Sequence, residues 1–385
     1  MRTHRLPSLR PIACFLMSLA GHVADASASP SDPLTSSSVV EQGQGQPASG
    51  EVQEGGIAPM QSLTALLPWP GEFALRTYKG FYVTALDGGG RIAEPVLLTT
   101  ATTAGPWEKF TFAVTYPDTP HDKSIQTSRG YYLTALNGGG LTGGAFHTDA
   151  TQALDWERFR LLDLSVGNFA PSFYAINTIK GFYVTAVGAG GKSADAFHTD
   201  ATQIQNWEKF RIVKCGDVGS GFEYGILTAD GTFLSAELPG GRSSQGDIII
   251  VGRAEPESRF KFIRQSDGSH ALQTSNGVTF VTALGGGGLV QKYIDCDPGF
   301  PGACISTTST IFHTDATQVL AWEKFRIIDQ GNCTYALQTS SGFNVGIYRD
   351  SAGHTLLTTR RDGVSTSNEL FQLIVYGLAS PVVLQ

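Results

Sequence analysis

Phe197-His198-Thr199-Asp200-Ala201-Thr202-Gln203, followed shortly by Trp207-Glu208-Lys209-Phe210, is the stretch that decides the fold, because the chain writes it again and again. Phe146-His147-Thr148-Asp149-Ala150-Thr151-Gln152 leads to Trp156-Glu157-Arg158-Phe159. Phe312-His313-Thr314-Asp315-Ala316-Thr317-Gln318 leads to Trp322-Glu323-Lys324-Phe325. A looser copy ends at Trp107-Glu108-Lys109-Phe110, and degenerate ones end at Glu257-Ser258-Arg259-Phe260 and Asn368-Glu369-Leu370-Phe371. The closing phenylalanines stand at 110, 159, 210, 260, 325 and 371, so their steps are 49, 51, 50, 65 and 46. A single insertion, expected at 289–309, accounts for the one long step. Such a fixed period marks a structural unit that buries its apolar face only by assembling with its neighbours.

Within one unit the pattern is that of strands. Ile176-Asn177-Thr178 runs into a turn at Lys180-Gly181, and Phe182-Tyr183-Val184-Thr185-Ala186 reads as the next strand. The glycines from 188 to 191 supply a turn that needs positive φ. Ala196-Phe197-His198 and Phe210-Arg211-Ile212 give a third and a fourth strand, with Asp200 to Gln203 suited to a capped helical turn between them. Trp207 and Phe210, three apart, would point to opposite faces of a regular strand, so both reach the core only if the chain turns between them. On that reading Trp107, Phe110, Trp156, Phe159, Trp207, Phe210, Trp322 and Phe325 are all core residues.

Gly-Phe-Tyr-Val-Thr-Ala, then a run of glycines, then Trp-Glu-Lys-Phe resembles the fascin-like β-trefoil repeat, over roughly 63–376. The resemblance implies an all-β chain of two tandem β-trefoils made from six repeats of about 50 residues, with domains at 63–217 and 218–385. A six-bladed propeller is the competing architecture. Fascins with four trefoils bundle actin. The two-trefoil length here, with a leader and disulfides, departs from that pattern. Fascin-like modules also accompany secreted sugar-active proteins, and trefoils commonly serve as lectins.

Composition agrees with a secreted, glycine-rich β protein. The 46 glycines among 385 residues exceed the ordinary share of about 7 %. Residues 1–28 read as a signal peptide: Arg2, Arg5 and Arg10 precede a short apolar run and the small residues Ala24-Asp25-Ala26. Residues 29–62, rich in Ser, Gly, Pro, Gln and Glu, read as a disordered linker. No transmembrane segment is expected, since no apolar run approaches the roughly 20 residues a span needs. A net charge of −7 without a basic block argues against a nucleic-acid partner. The mature chain keeps Cys215, Cys296, Cys304 and Cys333. In an exported protein these suggest two disulfides, one across the turn-rich 297–303 loop and the other joining Cys215 to Cys333. Their spacing fits no zinc pattern, and neither a metal nor another cofactor is expected.

Function is less legible. His147, Asp149, His198, Asp200, His313 and Asp315 are the candidate ligand-binding residues, since imidazole and carboxylate both hydrogen-bond sugar hydroxyls. Their recurrence among different neighbours also fits a purely structural turn. Glu108, Glu157, Glu208 and Glu323 occupy equivalent, separated positions, whereas glycoside hydrolysis needs two carboxyls within about 5 to 10 Å. No nucleophile elbow, phosphate loop or dinucleotide fingerprint is present. The expectation is therefore a non-enzymatic extracellular binding protein for a glycan or polysaccharide, with an accessory module of a sugar-active system as the enzymatic alternative. A protein-binding or filament-cross-linking module is the other class. Aromatics exposed beside the glycine turns favour the first; a broad apolar or charged patch favours the second.

Overall fold

The computed structural model describes residues 71–116, 119–164, 172–220, 222–236, 248–251, 254–288, 291–296, 304–309, 312–349, 355–361, 367–377 and 380–381. The expectations for residues 1–28 and 29–62 lie outside them. Among the described residues the extended elements are β-strands, and the helical pieces are three-residue 3₁₀ turns.

Alternation builds the walls. In Phe159–Asp163, Phe159 and Leu161 turn inward while Arg160 faces water. Six such strands close on themselves. Phe73–Thr77 pairs with Lys109–Tyr116, which pairs with Thr119–Thr127, then Phe159–Asp163, then Tyr174–Thr178, then Phe210–Lys214, which returns to Phe73–Thr77. A second ring repeats the plan: Glu223–Thr228, Arg259–Arg264, His270–Gln273, Lys324–Asp329, Tyr335–Thr339 and Phe371–Tyr376, the last paired back to the first. Closure leaves no free edge within either ring.

Each ring carries three hairpins. In the first they are Tyr82–Ala85 with Leu97–Ala101, Tyr132–Ala135 with Phe146–Ala150, and Tyr183–Ala186 with Phe197–Ala201. All three slip register at the same place, between the Tyr and the Thr two residues on, a bulge that increases the local twist of each hairpin. Their inward residues Val83, Leu97, Leu133, Phe146, Val184 and Phe197 continue the core of the ring. Three inter-repeat contacts then lock the hairpins in a cycle. Gly90 N–H donates to Thr148 O at 2.6 Å, Gly140 N–H to Thr199 O at 2.7 Å, and Gly191 N–H to Thr99 O at 2.8 Å.

Two expectations fail here. The closing phenylalanines 110, 159, 210 and 325 are buried, but Trp107, Trp156, Trp207 and Trp322 are 45, 44, 47 and 48 % exposed. A 3₁₀ turn at Pro106–Glu108 or Asp155–Glu157, and a plain turn at the other two copies, rotates the chain so that Glu, not Trp, points inward. No helical turn forms at Asp200 to Gln203, where Asp200 and Ala201 still belong to the strand Phe197–Ala201; in this repeat the turn at Trp207 is a plain one.

The rings share a wall. Val213 pairs with Ile374, and around them Ala74, Tyr82, Leu227, Phe233, Cys215 and Cys333 form one buried cluster. Tyr174 Oη donates to Val375 O at 3.0 Å, Arg76 Nη1 to Gln372 Oε1 at 3.0 Å, and Tyr335 Oη to Gly216 O at 2.8 Å. A disulfide joins Cys215, just past the first ring, to Cys333 in a turn of the second. The strands Gln291–Cys296 and Cys304–Ser309 form a separate hairpin with Cys296 opposite Cys304. The side chains that would carry a bond there lie outside the described residues.

Candidate functional site

The site grows from one brace repeated at four places. The Glu of each Trp-Glu pair turns inward and accepts two hydrogen bonds. Thr84 Oγ1 donates to Glu108 at 2.6 Å, Thr134 to Glu157 at 2.6 Å, Thr185 to Glu208 at 2.8 Å and Thr282 to Glu323 at 2.8 Å. The second carboxyl oxygen takes a backbone N–H, from Gly105, Leu154, Gln205 or Leu320, each at 2.8 Å. These carboxyls are buried, so each satisfied oxygen avoids a desolvation cost of about 1–3 kcal/mol. The brace fixes the turn, and the turn displays the Trp beside it to solvent.

The glycine run completes the floor. Gly139 has φ +106, and a Cβ there would stand 2.4 Å from Thr178 Oγ1 of the following repeat. Only glycine lets the two repeats approach that closely. The preceding position also touches the next repeat. Arg129 N–H donates to Gly88 O, Lys180 N–H to Gly138 O and Lys79 N–H to Ala189 O, each at 3.3 Å. A Cβ on Gly138 would lie 3.4 Å from Lys180 Cγ, 3.6 Å from Trp156 Cδ1 and 2.9 Å from Ile179 Cγ2. At this junction an exposed Trp, an exposed aliphatic side chain and an exposed cation therefore ring one glycine. The equivalents in the first ring are Trp107 with Arg129, and Trp207 with Tyr78 and Lys79.

The second ring keeps less of this. Trp322 recurs beside the 284–287 turn, but Ser340 and Ser341 stand against Gly286 where the first ring has a cation. Glu257 and Asn368 replace Trp in the degenerate copies, and Ser258 replaces the bracing Glu in one of them, with its Oγ accepting Glu255 N–H at 3.2 Å.

The residues singled out from the sequence fall elsewhere. His147, His198 and His313 are half-buried, and Asp149, Asp200 and Asp315 are exposed, each pair on the outer strand of a different hairpin. His147 Nδ1 lies 3.9 Å from Asp149 and His198 Nε2 lies 3.3 Å from Asp195, so these two imidazoles each meet a carboxylate of their own hairpin. The structure does not gather them into one site. The residue between them matters more for the fold: Thr99, Thr148, Thr199 and Thr314 are fully buried. Thr99 and Thr148 Oγ1 accept the backbone N–H of Lys192 and Arg91, at 3.0 and 3.3 Å, and Thr199 Oγ1 accepts that of Leu141 at 3.2 Å. Among the described residues no three His, Cys, Asp or Glu cluster as metal ligands. None of their helices is long and apolar enough to cross a membrane.

The exposed cations Lys79, Arg129 and Lys180 escape a search for chemical motifs, because each is one ordinary residue in a strand turn. Their common signal is position, immediately before the turn glycines 80, 130 and 181 in three successive repeats.

No protein-family profile matches the chain, and no curated protein matches it in sequence. Solved structures similar to it include a mosquitocidal holotoxin, at 10 % identity and TM-score 0.32, over 79 % of this chain and 34 % of the toxin. The chain thus spans about a third of that toxin's length. A designed 3-fold symmetric protein, ThreeFoil, aligns at 12 % identity and TM-score 0.31, over 37 % of this chain and 97 % of its own. The BEL β-trefoil aligns at 9 % identity and TM-score 0.29, over 42 % and 97 % of the two chains.

Proposed function

We propose that the protein is a secreted, non-enzymatic glycan-binding protein made of two tandem β-trefoils from six fascin-like repeats, and that it binds through the repeat junctions. The observation that carries this is the set of half-exposed tryptophans at 107, 156, 207 and 322 beside glycine turns. Four indoles left in water by a fold that buries the neighbouring Phe and Glu are a cost to solubility unless they meet a ligand. The flat apolar face of a sugar ring stacks on such a surface, and hydroxyls reach the exposed backbone of the turn. Two closed rings, each with three hairpins, support the tandem-trefoil reading. The Cys215–Cys333 disulfide is in keeping with export.

Single shallow sites of this kind bind at about millimolar to high-micromolar Kd, near −4 to −6 kcal/mol each. Three on one rigid ring would add by avidity on a polymer. The test is retention of the full chain on insoluble and arrayed glycans, with Trp107→Ala, Trp156→Ala and Trp207→Ala combined. Loss of retention with an unchanged thermal melt supports the reading. Retention unchanged in the triple variant overturns the Trp sites. Absence of glycan binding together with co-sedimentation with filamentous actin transfers the function to cross-linking.

A further inference from the structure

The junctions of the first ring differ in charge, and one of them gathers three lysines. The junction between the third repeat and the first is assembled from residues 77–80, 187–192 and 205–210. Those segments hold three lysines, Lys79, Lys192 and Lys209, and one carboxyl, Glu208, which is buried and bound to Thr185 and Gln205 N–H. They also hold two exposed aromatics, Tyr78 at 43 % and Trp207 at 47 %. Lys79 N–H is anchored to Ala189 O, and Lys192 Cε lies 3.6 Å from where a Cβ of Gly188 would stand, so both lysines flank the same turn. Lys209 is already engaged, 5.7 Å from the centroid of the Tyr78 ring and 3.0 Å from Asn206 Oδ1, and it holds the Tyr78 ring in place with Phe173 at 5.5 Å. Among the described residues, the ammonium groups of Lys79 and Lys192 meet no carboxylate.

Among the described residues, the other two junctions each keep one cation without a carboxylate partner, Arg129 or Lys180, but neither has a second free one at the place of Lys192. At the first, Asp87 stands at the position of Gly188 and binds Arg91, the counterpart of Lys192, at 2.5 Å. At the second, Asp155 adjoins Trp156, and Leu141 replaces Lys192. Two exposed aromatics and two lysines without a carboxylate partner, in segments whose one carboxyl is the buried Glu208, thus coincide only at the third.

We propose that this junction is a subsite for an anionic saccharide, a sugar ring bearing a carboxylate or a sulfate. It rests on the glycan-binding reading above and names the ligand class for one of its sites. The ring stacks on Trp207, with Tyr78 at its edge, while its anionic group pairs with Lys79 and Lys192, each pair a charge-assisted hydrogen bond. Because both ammoniums are exposed, the attraction is screened by salt.

The test compares the full chain on polygalacturonate, on its methyl ester, on dextran sulfate and on dextran by affinity electrophoresis. At least tenfold tighter binding to a charged polymer than to its neutral counterpart is expected, weakening as salt rises. Whether polygalacturonate or dextran sulfate binds more tightly identifies the anionic group. Lys79→Gln with Lys192→Gln should erase the preference and leave neutral-glycan binding at the other junctions intact. Trp207→Ala should weaken binding to the charged polymer at least tenfold. Equal binding to the charged and neutral forms overturns the subsite, and so does charged-polymer binding that survives Trp207→Ala, since lysines acting as a plain ion exchanger need no indole. Failure to bind any of the four polymers or any arrayed glycan is a different result: it removes the glycan reading itself.

Discussion

At the scale of single residues, Trp156 and Glu157 exchange the roles that their chemistry suggests. The larger apolar side chain stands in water and the ionisable one is buried, because Glu157 alone can accept both Thr134 Oγ1–H and Leu154 N–H. Removing it strands two donors, each costing about 1–3 kcal/mol. Glu157→Ala is therefore expected to lower unfolding stability by about 2–4 kcal/mol, whereas Trp156→Ala should cost less than about 1 kcal/mol, in the range of surface substitutions. Urea unfolding of the two variants checks the order. Equal losses would place Trp156 in the core after all.

At the scale of the element, the glycine turn carries two adjacent positions with different tolerances. Gly139 has φ +106 and no room, with Thr178 Oγ1 at 2.4 Å from a Cβ. Gly138 has φ +71, and its counterpart in the next repeat is already Ala189 at φ +63. Gly139→Ala should destabilise by at least about 2 kcal/mol through backbone strain and collision, and Gly138→Ala by about 1 kcal/mol or less. Thermal melts of the pair give the comparison. The hairpin insertion sits at the other extreme: Gln291–Cys296 and Cys304–Ser309 form a sheet of their own, apart from either ring.

At the scale of the whole molecule, the shared wall makes the two rings one folding unit. Splitting them would expose Tyr82, Val213, Leu227, Phe233 and Ile374 together, so a single cooperative unfolding transition is expected by calorimetry. Two resolved transitions would show that the wall contributes little. The Cys215–Cys333 bridge closes a loop with a sequence separation of 118. By the loop-closure argument its removal as Cys215→Ser with Cys333→Ser should cost up to about 4–5 kcal/mol. The bond expected between Cys296 and Cys304 would close a loop of only about nine residues, so Cys296→Ser with Cys304→Ser should cost about half as much.

The same wall holds a titrating group. Burial, with a smaller push from Lys109, pulls the Lys214 ammonium down from 10.5 to about 8 against the opposing pull of Asp217, Glu72 and Asp329. Its Nζ donates to Cys215 O. The folded state holds the neutral amine more readily than the unfolded chain does, so stability falls as pH drops from 10.5 toward 8 and rises in the other direction. The phenols of Tyr224, Tyr335 and Tyr376 are raised by burial and oppose this only where unfolded tyrosines ionise, near pH 10 and above. Wild-type protein should therefore melt higher at pH 9.5 than at pH 8, and Lys214→Met should flatten that slope.

The repeat, the strands and the glycine turns were legible in the sequence, because period-2 alternation and positive-φ glycines are local properties of the chain. So was the partnership of Cys215 with Cys333, by elimination among four thiols. The direction of each side chain around Trp-Glu was not, since it depends on a turn held by a threonine far back in the repeat, Thr134 for Glu157. The repetition of the His-Thr-Asp copies has a structural source the sequence did not show: the buried Thr between His and Asp ties one repeat to the next. Only closure of the ring decided which residues meet at a junction. Tyr78 and Lys79 open the first repeat and Trp207 closes the third, so they stand at opposite ends of their ring's sequence, and pairing of Phe73–Thr77 with Phe210–Lys214 brings those ends together.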